Sequence, residues 1–369
     1  MGAFGPRRAT SAPARRGLFG LGFAVLSTLP GCHSIPIVGK VDTDAKVTAG
    51  FQGTVDVRVP PAPDPGPVVP MVVRAATTGA HAPRVALIDV DGLLVNQNLT
   101  GLYSAGENPV ASFREKLEAA AGDPRVRAVV LRINSPGGGV AASDLMAEEL
   151  RRFRAATGKP AVACLLDVAT GGAYYLAVGC DRIVALPTTI TGAIGAVVNH
   201  TNMQDAMAQL NVSIEPVKSG ELVDMGTVTA PLPDDVRKLF QEMADGFRNR
   251  FTARVGHYRR SMTEADRKAI ADGRIVAAPK ALTTHLVDTL GYPDDAIADA
   301  ERLAGIAGAE VVIFQRSGYP VRSIYAALPN VPLQSELIPF SYPGLERSKL
   351  PTFLYLWQPD PTLTRLGGR

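Results

Sequence analysis

Between Arg84 and Gln315 the chain alternates short, wholly apolar runs with longer stretches whose apolar residues recur at helical spacing. Val85–Val90, Val126–Ile133, Ala161–Leu166 and Ile183–Ala185 are β-branched-rich runs of the kind buried on both faces of a parallel sheet. Pro109–Ala121, Ala141–Ala156 and Ala173–Val178, which lie between them, read as helices. Pro109 suits a first helical turn and Gly122 a helix end. Further along, Asn202–Leu210 predicts a short helix and Val212–Val217 a strand. Pro233–Val255 and Thr263–Ala271 predict amphipathic helices, the first stopped at Gly256 and the second capped through Thr263-Glu264-Ala265-Asp266. This strand–helix alternation implies right-handed crossovers and an α/β domain whose sheet is covered on both faces. The sequence contains no internal repeat of the domain.

The flanks follow other patterns. Arg7, Arg8, Arg15 and Arg16 precede the apolar stretch Leu18–Leu29, too short to span a membrane and of the length of a secretory apolar region. It ends Leu29-Pro30-Gly31-Cys32, similar to a bacterial lipobox, so residues 1–31 are expected to be a signal peptide and Cys32 a lipidated N-terminus. Residues 32–83 then read as a stalk, with a weak hairpin signal over Lys46–Val59 and the proline-rich run 60–67 as a stiff spacer. Residues 316–369 are rich in proline and aromatics, including the sole tryptophan, Trp357. Disordered segments are poor in aromatics, so this tail is expected to dock on the domain or on a neighbour.

Composition narrows the function. A hydrophobic content of 46% with 20% charged residues describes a globular protein with an ample core. The formal charge of +3 owes its sign to the four leader arginines, because no acidic residue precedes Cys32. No basic stripe remains to hold a nucleic acid. The five histidines show no metal-ligand spacing, and neither a metal nor a cofactor is expected. Cys164 and Cys180 sit in apolar sequence and read as buried thiols.

Two segments carry the chemistry. Residues 167–175 read Asp-Val-Ala-Thr-Gly-Gly-Ala-Tyr-Tyr, and residues 218–226 read Lys-Ser-Gly-Glu-Leu-Val-Asp-Met-Gly. They resemble the D-V-A-A-S-G-G-Y-Y and K-S-G-x-x-K-D segments of the signal peptide peptidase A (protease IV) family of serine peptidases. Further matches lie at Asp123–Gly139, Pro187–Gly195, Asp272–Ile275 and His285–Asp288, so the resemblance covers residues 84–315 in order. It implies a crotonase/Clp-like spiral of β-β-α units. It also implies a serine nucleophile activated by a lysine, acting on leftover signal peptides, with the dyad assembled between neighbouring protomers. Laid over the family segments without gaps, the serine position falls on Gly171 and the lysine position on Val223. Glycine offers no hydroxyl and valine no lone pair.

From the resemblance, Gly137, Gly138 and Gly172 are expected to present backbone N–H groups to a peptide carbonyl. Shifting the elbow by one residue makes Thr170 a substitute nucleophile, with Lys218 the nearby amine. The plainer reading of Thr170 is a turn or capping hydroxyl, and Ser135, Ser143 and Ser219 read as structural too. Three functions follow: a non-catalytic peptide-binding or regulatory relative, an endopeptidase using Thr170, and crotonase-like acyl-thioester chemistry. Export away from acyl-CoA pools speaks against the last. The expected setting is the bacterial cell envelope, lipid-anchored on the periplasmic side, as a homo-oligomer or a hetero-oligomer with an active relative.

Overall fold

The computed structural model describes residues 66–316 apart from 78, 80, 102 and 103, together with Ile324 and residues 353–357. Cys32, the predicted signal peptide and most of the predicted stalk and tail lie outside the described residues.

Thirteen strands are described. β1 (Val68–Arg74), β2 (Arg84–Leu94), β5 (Val126–Gly139), β6 (Ala161–Thr170), β7 (Arg182–Ala185), β11 (Thr289–Leu290) and β12 (Glu310–Arg316) form the main path. Their order is β1-β12-β2-β5-β6-β7-β11, parallel throughout except for β1, which runs antiparallel to β12 at the edge. A second group, β8 (Ile190–Gly192), β9 (Val197–Val198), β10 (Ile275–Ala277) and β13 (Phe353–Leu356), branches from the far ends of β5 and β6. β3 (Leu99–Gly101) and β4 (Ser104–Glu107) pair separately. β6 serves both groups: Val162–Leu165 pairs with β7, and Val168–Thr170 with β8. A strand that bends into a second small sheet before its helix is the β-β-α turn of the expected spiral.

The helices are α1 (Pro109–Gly122), α2 (Val140–Thr157), α3 (Gly172–Ala177), α4 (Gln204–Gln209), α5 (Asp234–Tyr258), α6 (Glu264–Ile270), α7 (Ala278–Thr283) and α8 (Pro293–Ala304). Local rules account for their ends. Asn108 caps α1, its side-chain oxygen accepting from the N–H groups of Val110 (2.9 Å) and Ala111 (3.3 Å), with Pro109 at the first position. Thr263 caps α6 by accepting from the Asp266 N–H at 3.0 Å. Gly158 ends α2 at φ 66.

Period-two alternation divides the strands between two buried faces. Ala86, Ile88, Val129, Leu131, Ala163 and Leu165 join α1, α2 and α3 in one core. Val85, Leu87, Val130, Val162 and Cys164 face the other way and pack with Ala296, Ile297 and Ala300 of α8. Each fully buried aliphatic side chain contributes about 2–3 kcal/mol. The two thiols are buried and free, and burial pushes both up to about 12.

Several expectations change. The sheet begins before residue 84, because Val68–Arg74 of the predicted stalk pairs with β12. Its Pro70 is tolerated because β1 is an edge strand. Val212–Val217 forms no strand: Val212, Ile214 and Val217 are exposed and the run has no ladder partner among the described residues. Gly256 does not stop α5, which runs two residues further to Tyr258 while Phe251 and Val255 hold its last turns in the core. β5 and β6 extend beyond their apolar runs, to Gly139 and Thr170. Among the described residues no helix is long and apolar enough to cross a membrane.

Candidate active site

The ends of β5 and β6 face each other and each opens a helix. At the end of β5, Ser135 shapes the first turn: its hydroxyl donates to the Gly92 carbonyl at 2.6 Å and accepts the Gly137 N–H at 3.1 Å. Gly138 lies so close to β2 that an added Cβ would stand 2.0 Å from the Leu94 carbonyl oxygen. Glycine there is a packing requirement whatever the turn binds. Ser143 secures the neighbouring helix start, donating to the Gly139 carbonyl at 2.9 Å and filling the space beside Gly172.

The end of β6 makes the second turn. Gly171 has φ 53 and ψ −122, a conformation that side chains rarely adopt. Its N–H donates to the Gly192 carbonyl at 2.9 Å, and its own carbonyl accepts the Tyr175 N–H at 2.9 Å. The residue is thus held at the mouth of α3 with its Cα facing the first turn, the strand-to-helix elbow that presents a nucleophile in other hydrolases.

Between the turns lies β13. Leu354, Tyr355 and Leu356 pair antiparallel with Gly139, Gly138 and Gly137, while Phe353 and Leu354 pair with Val198 and Val197 on the other side. The Trp357 N–H donates to the Pro136 carbonyl at 3.1 Å. Antiparallel ladders alternate bonded and non-bonded pairs, so Gly138–Tyr355 is the next bonded pair and the Gly138 N–H points at the Tyr355 carbonyl. That same oxygen would lie 2.0 Å from a Cβ on Gly137 and 2.3 Å from one on Gly171. The Tyr355–Leu356 peptide unit therefore occupies the space that a side chain at position 171 would need.

Side chains fix this strand. Leu354 and Tyr355 are buried. The Tyr355 ring stacks on Tyr175 with centroids 5.3 Å apart and lies 5.0 Å from Phe251. Its hydroxyl donates to the Phe247 carbonyl at 2.7 Å. Burial, followed by the neighbouring Tyr175, pushes the Tyr355 phenol well above its ordinary range. Tyr175 in turn donates to Asp144 at 2.6 Å, and Arg250 binds the same carboxylate at 2.8 Å. Burial opposes ionisation of Asp144, but these two hydrogen bonds prevail and hold it below the usual carboxylate range. A cavity of about 260 Å³ opens beside Leu356 and Trp357, against α5 and residues 271–273.

The other predicted residues fall as follows. Thr170 is fully buried and its hydroxyl donates to the Pro136 carbonyl at 3.1 Å, the carbonyl that also receives the Trp357 N–H. It clamps one turn to the other. Lys218 pairs with Asp224 at 2.6 Å. Val223 is 70% exposed in a segment of turns, where Val217 and Leu222 are exposed too. Tyr174 is a core residue whose hydroxyl donates to the Leu286 carbonyl at 2.8 Å. His285 takes φ 57 after α7, in place of a glycine. Sequence reasoning missed Tyr355 and its partner Phe251; the aromatic content of the tail was the only signal of the first.

A glycine turn and an elbow arranged around an extended strand form the scaffold that the resemblance to the serine peptidases implies. The chain belongs to peptidase family S49, whose model matches residues 154–307. It is 29% identical over 237 residues to a putative signal peptide peptidase SppA of Enterococcus faecium, covering 64% of this chain and 68% of that one. It is 32% identical over 223 residues to a putative protease of Synechocystis sp., covering 60% and 75% of the two chains. Protease 4 of Salmonella typhi is 33% identical over 220 residues, 60% of this chain, which spans 34% of that protein's length.

Proposed function

We propose that this chain is a non-catalytic member of the signal peptide peptidase family that holds extended apolar peptides. The observation that carries this reading is the fit at the elbow. The Tyr355 carbonyl faces a Gly138 N–H on one side and the bare Cα of Gly171 on the other, where a nucleophile's side chain has no room. The family's lysine position is occupied by Val223, which has no titratable atom. Removing the nucleophile alone costs about 10⁶ in kcat in a serine protease. The groove retains what an extended peptide needs, backbone ladder partners in β5 and β9 and an apolar lining, without the groups that would cut it. The endopeptidase reading through Thr170 is not favoured, because that hydroxyl is buried and engaged by Pro136.

The setting belongs to the same proposal. The leader and Cys32 pattern support a lipid anchor on the periplasmic side of a bacterial membrane, and the exposed apolar residues around Val223 support assembly with copies of itself or with an active relative. The test incubates the purified full chain with a fluorescent synthetic signal peptide. Saturable binding with no cleavage product by mass spectrometry, and no labelling by a fluorophosphonate, is expected. Cleavage, or stoichiometric labelling of one residue, ends the reading.

A further inference from the structure

The occupant of the groove is part of this chain. We infer that Phe353–Trp357 is a resident pseudo-substrate, docked in cis, which external peptides must displace; this rests on the peptide-holding reading above. The segment pairs with a strand on each side, β5 and β9, so it sits within the groove as a central strand. Its backbone is read by both glycine turns, with the Tyr355 carbonyl between Gly138 and Gly171. Here a Cβ at residue 171 would stand 2.3 Å from the Tyr355 oxygen, 2.6 Å from its carbonyl carbon and 2.9 Å from the Leu356 nitrogen. All three are backbone atoms, so no rotamer change relieves the contact. Gly171 is matched to an occupant that stays.

The segment also states what chemistry the groove accepts. Side chains of an extended strand alternate. Phe353 and Tyr355 project towards α5, where Phe247 lies 5.0 Å from Phe353 and Phe251 lies 5.0 Å from Tyr355. Leu354 points to the opposite side and is buried. The ligand class is an uncharged, extended peptide alternating aromatic and aliphatic residues. A tethered segment acts at an effective concentration on the order of millimolar. An external peptide of intrinsic Kd near ~10 µM is then weakened about a hundredfold.

Trp357 is the sole tryptophan and reports on docking directly. Acrylamide quenching of the full wild-type chain is compared with that of the free peptide PTFLYLWQ (residues 351–358). At least threefold weaker quenching in the protein, unchanged on dilution, is expected. Equal quenching overturns the inference while leaving the peptide-holding reading intact; protection that falls on dilution also overturns it, because the occupant would then be a second copy. A labelled PTFLYLWQ peptide is then titrated into wild type and the full-length Tyr355→Ala and Gly171→Ser variants. Tyr355→Ala is expected to bind it at least tenfold more tightly than wild type does, with Trp357 quenching rising towards that of the free peptide, whereas Gly171→Ser is expected to release the resident segment without binding the peptide, because its Cβ excludes the same backbone from any occupant. Equal affinity in wild type and Tyr355→Ala overturns resident occupancy. Cleavage of the peptide by Tyr355→Ala would instead end the non-catalytic reading and leave the occupancy standing.

Discussion

Adding one methyl group at the elbow should expel the docked segment. In Gly171→Ala the new Cβ would stand 2.3 Å from the Tyr355 carbonyl oxygen, about 1 Å inside ordinary contact, and the segment must withdraw or the elbow must deform. The elbow is pinned by backbone hydrogen bonds on both sides, to Gly192 and Tyr175, whereas β13 is the strand free to leave. Two buried side chains, Leu354 and Tyr355, contribute about 2–3 kcal/mol each. Each ladder hydrogen bond to β5 and β9, and the Tyr355 hydroxyl bond, contributes about 1 kcal/mol, roughly 5 kcal/mol in all. Ordering residues 353–357 costs about 1.5 kcal/mol per residue. The remainder, about 3 kcal/mol, is the docking free energy. Gly171→Ala should lose it along with about 1 kcal/mol of strain at φ 53. Tyr355→Ala should lose the docking free energy alone, and the double variant should be no worse than Gly171→Ala. Urea denaturation of the four full-length chains therefore predicts a coupling of about 3 kcal/mol in the double-mutant cycle. Costs that add to within about 0.5 kcal/mol would refute the proposed contact.

Three further outcomes test the surrounding structure. Gly138→Ala places a Cβ 2.0 Å from the Leu94 carbonyl and should destabilise by about 3 kcal/mol or more, whereas Gly246→Ala, inside α5 with open space around it, should stabilise by about 1 kcal/mol; thermal melts rank the two. Thr170→Val removes one bond to Pro136 and should cost about 1 kcal/mol in denaturant while altering neither peptide binding nor cleavage, both read with the fluorescent signal peptide. Asp91 on β2 is pushed up from 3.8 to about 7, first by burial and then by the nearby Asp89. A carboxyl whose folded value is raised binds its proton more tightly when folded, so the contribution of Asp91 to stability is full below about pH 4 and about 4 kcal/mol of it is lost as pH rises to 7. Asp91→Asn should flatten that fall in urea titrations at pH 4.5 and pH 8, and an unchanged slope would contradict it.

The strands were legible where burial on both faces made them continuously apolar, as in Val126–Ile133 and Ala161–Leu166. Their extensions were not. Asn134–Gly139 has the composition of a turn, and it is strand only because β2 and β13 pair with it. Val212–Val217 shows the converse: apolar, β-branched residues predicted a strand, but a ladder needs a partner that the run does not have among the described residues. Val68–Arg74 looked like stalk because Pro70 and the run of prolines before it obscure a short edge strand. At the site, the two glycine turns could be read from their order after β5 and β6. Which atoms they face could not, because the occupant comes from a segment more than 180 residues away in sequence, whose aromatic content predicts docking and not its address.

In the non-catalytic reading proposed above, the geometry also accounts for a glycine at the elbow. A serine at φ 53 pays for its strained backbone by placing an oxygen against a substrate carbonyl. That return requires a base, and in the proposed reading Val223, which falls on the family's lysine position, supplies none. Without the base, a side chain at residue 171 carries the strain and blocks the groove, and glycine removes both penalties at once. The substitution then permits something a serine forbids: a peptide carbonyl seated against the elbow itself, held by the Gly138 N–H and buried beneath Tyr175 and Phe251. In the proposed reading, the missing nucleophile and the docked strand are thus two sides of one packing arrangement. Restoring a serine alone should yield a less stable, less occupied groove before it yields any peptidase.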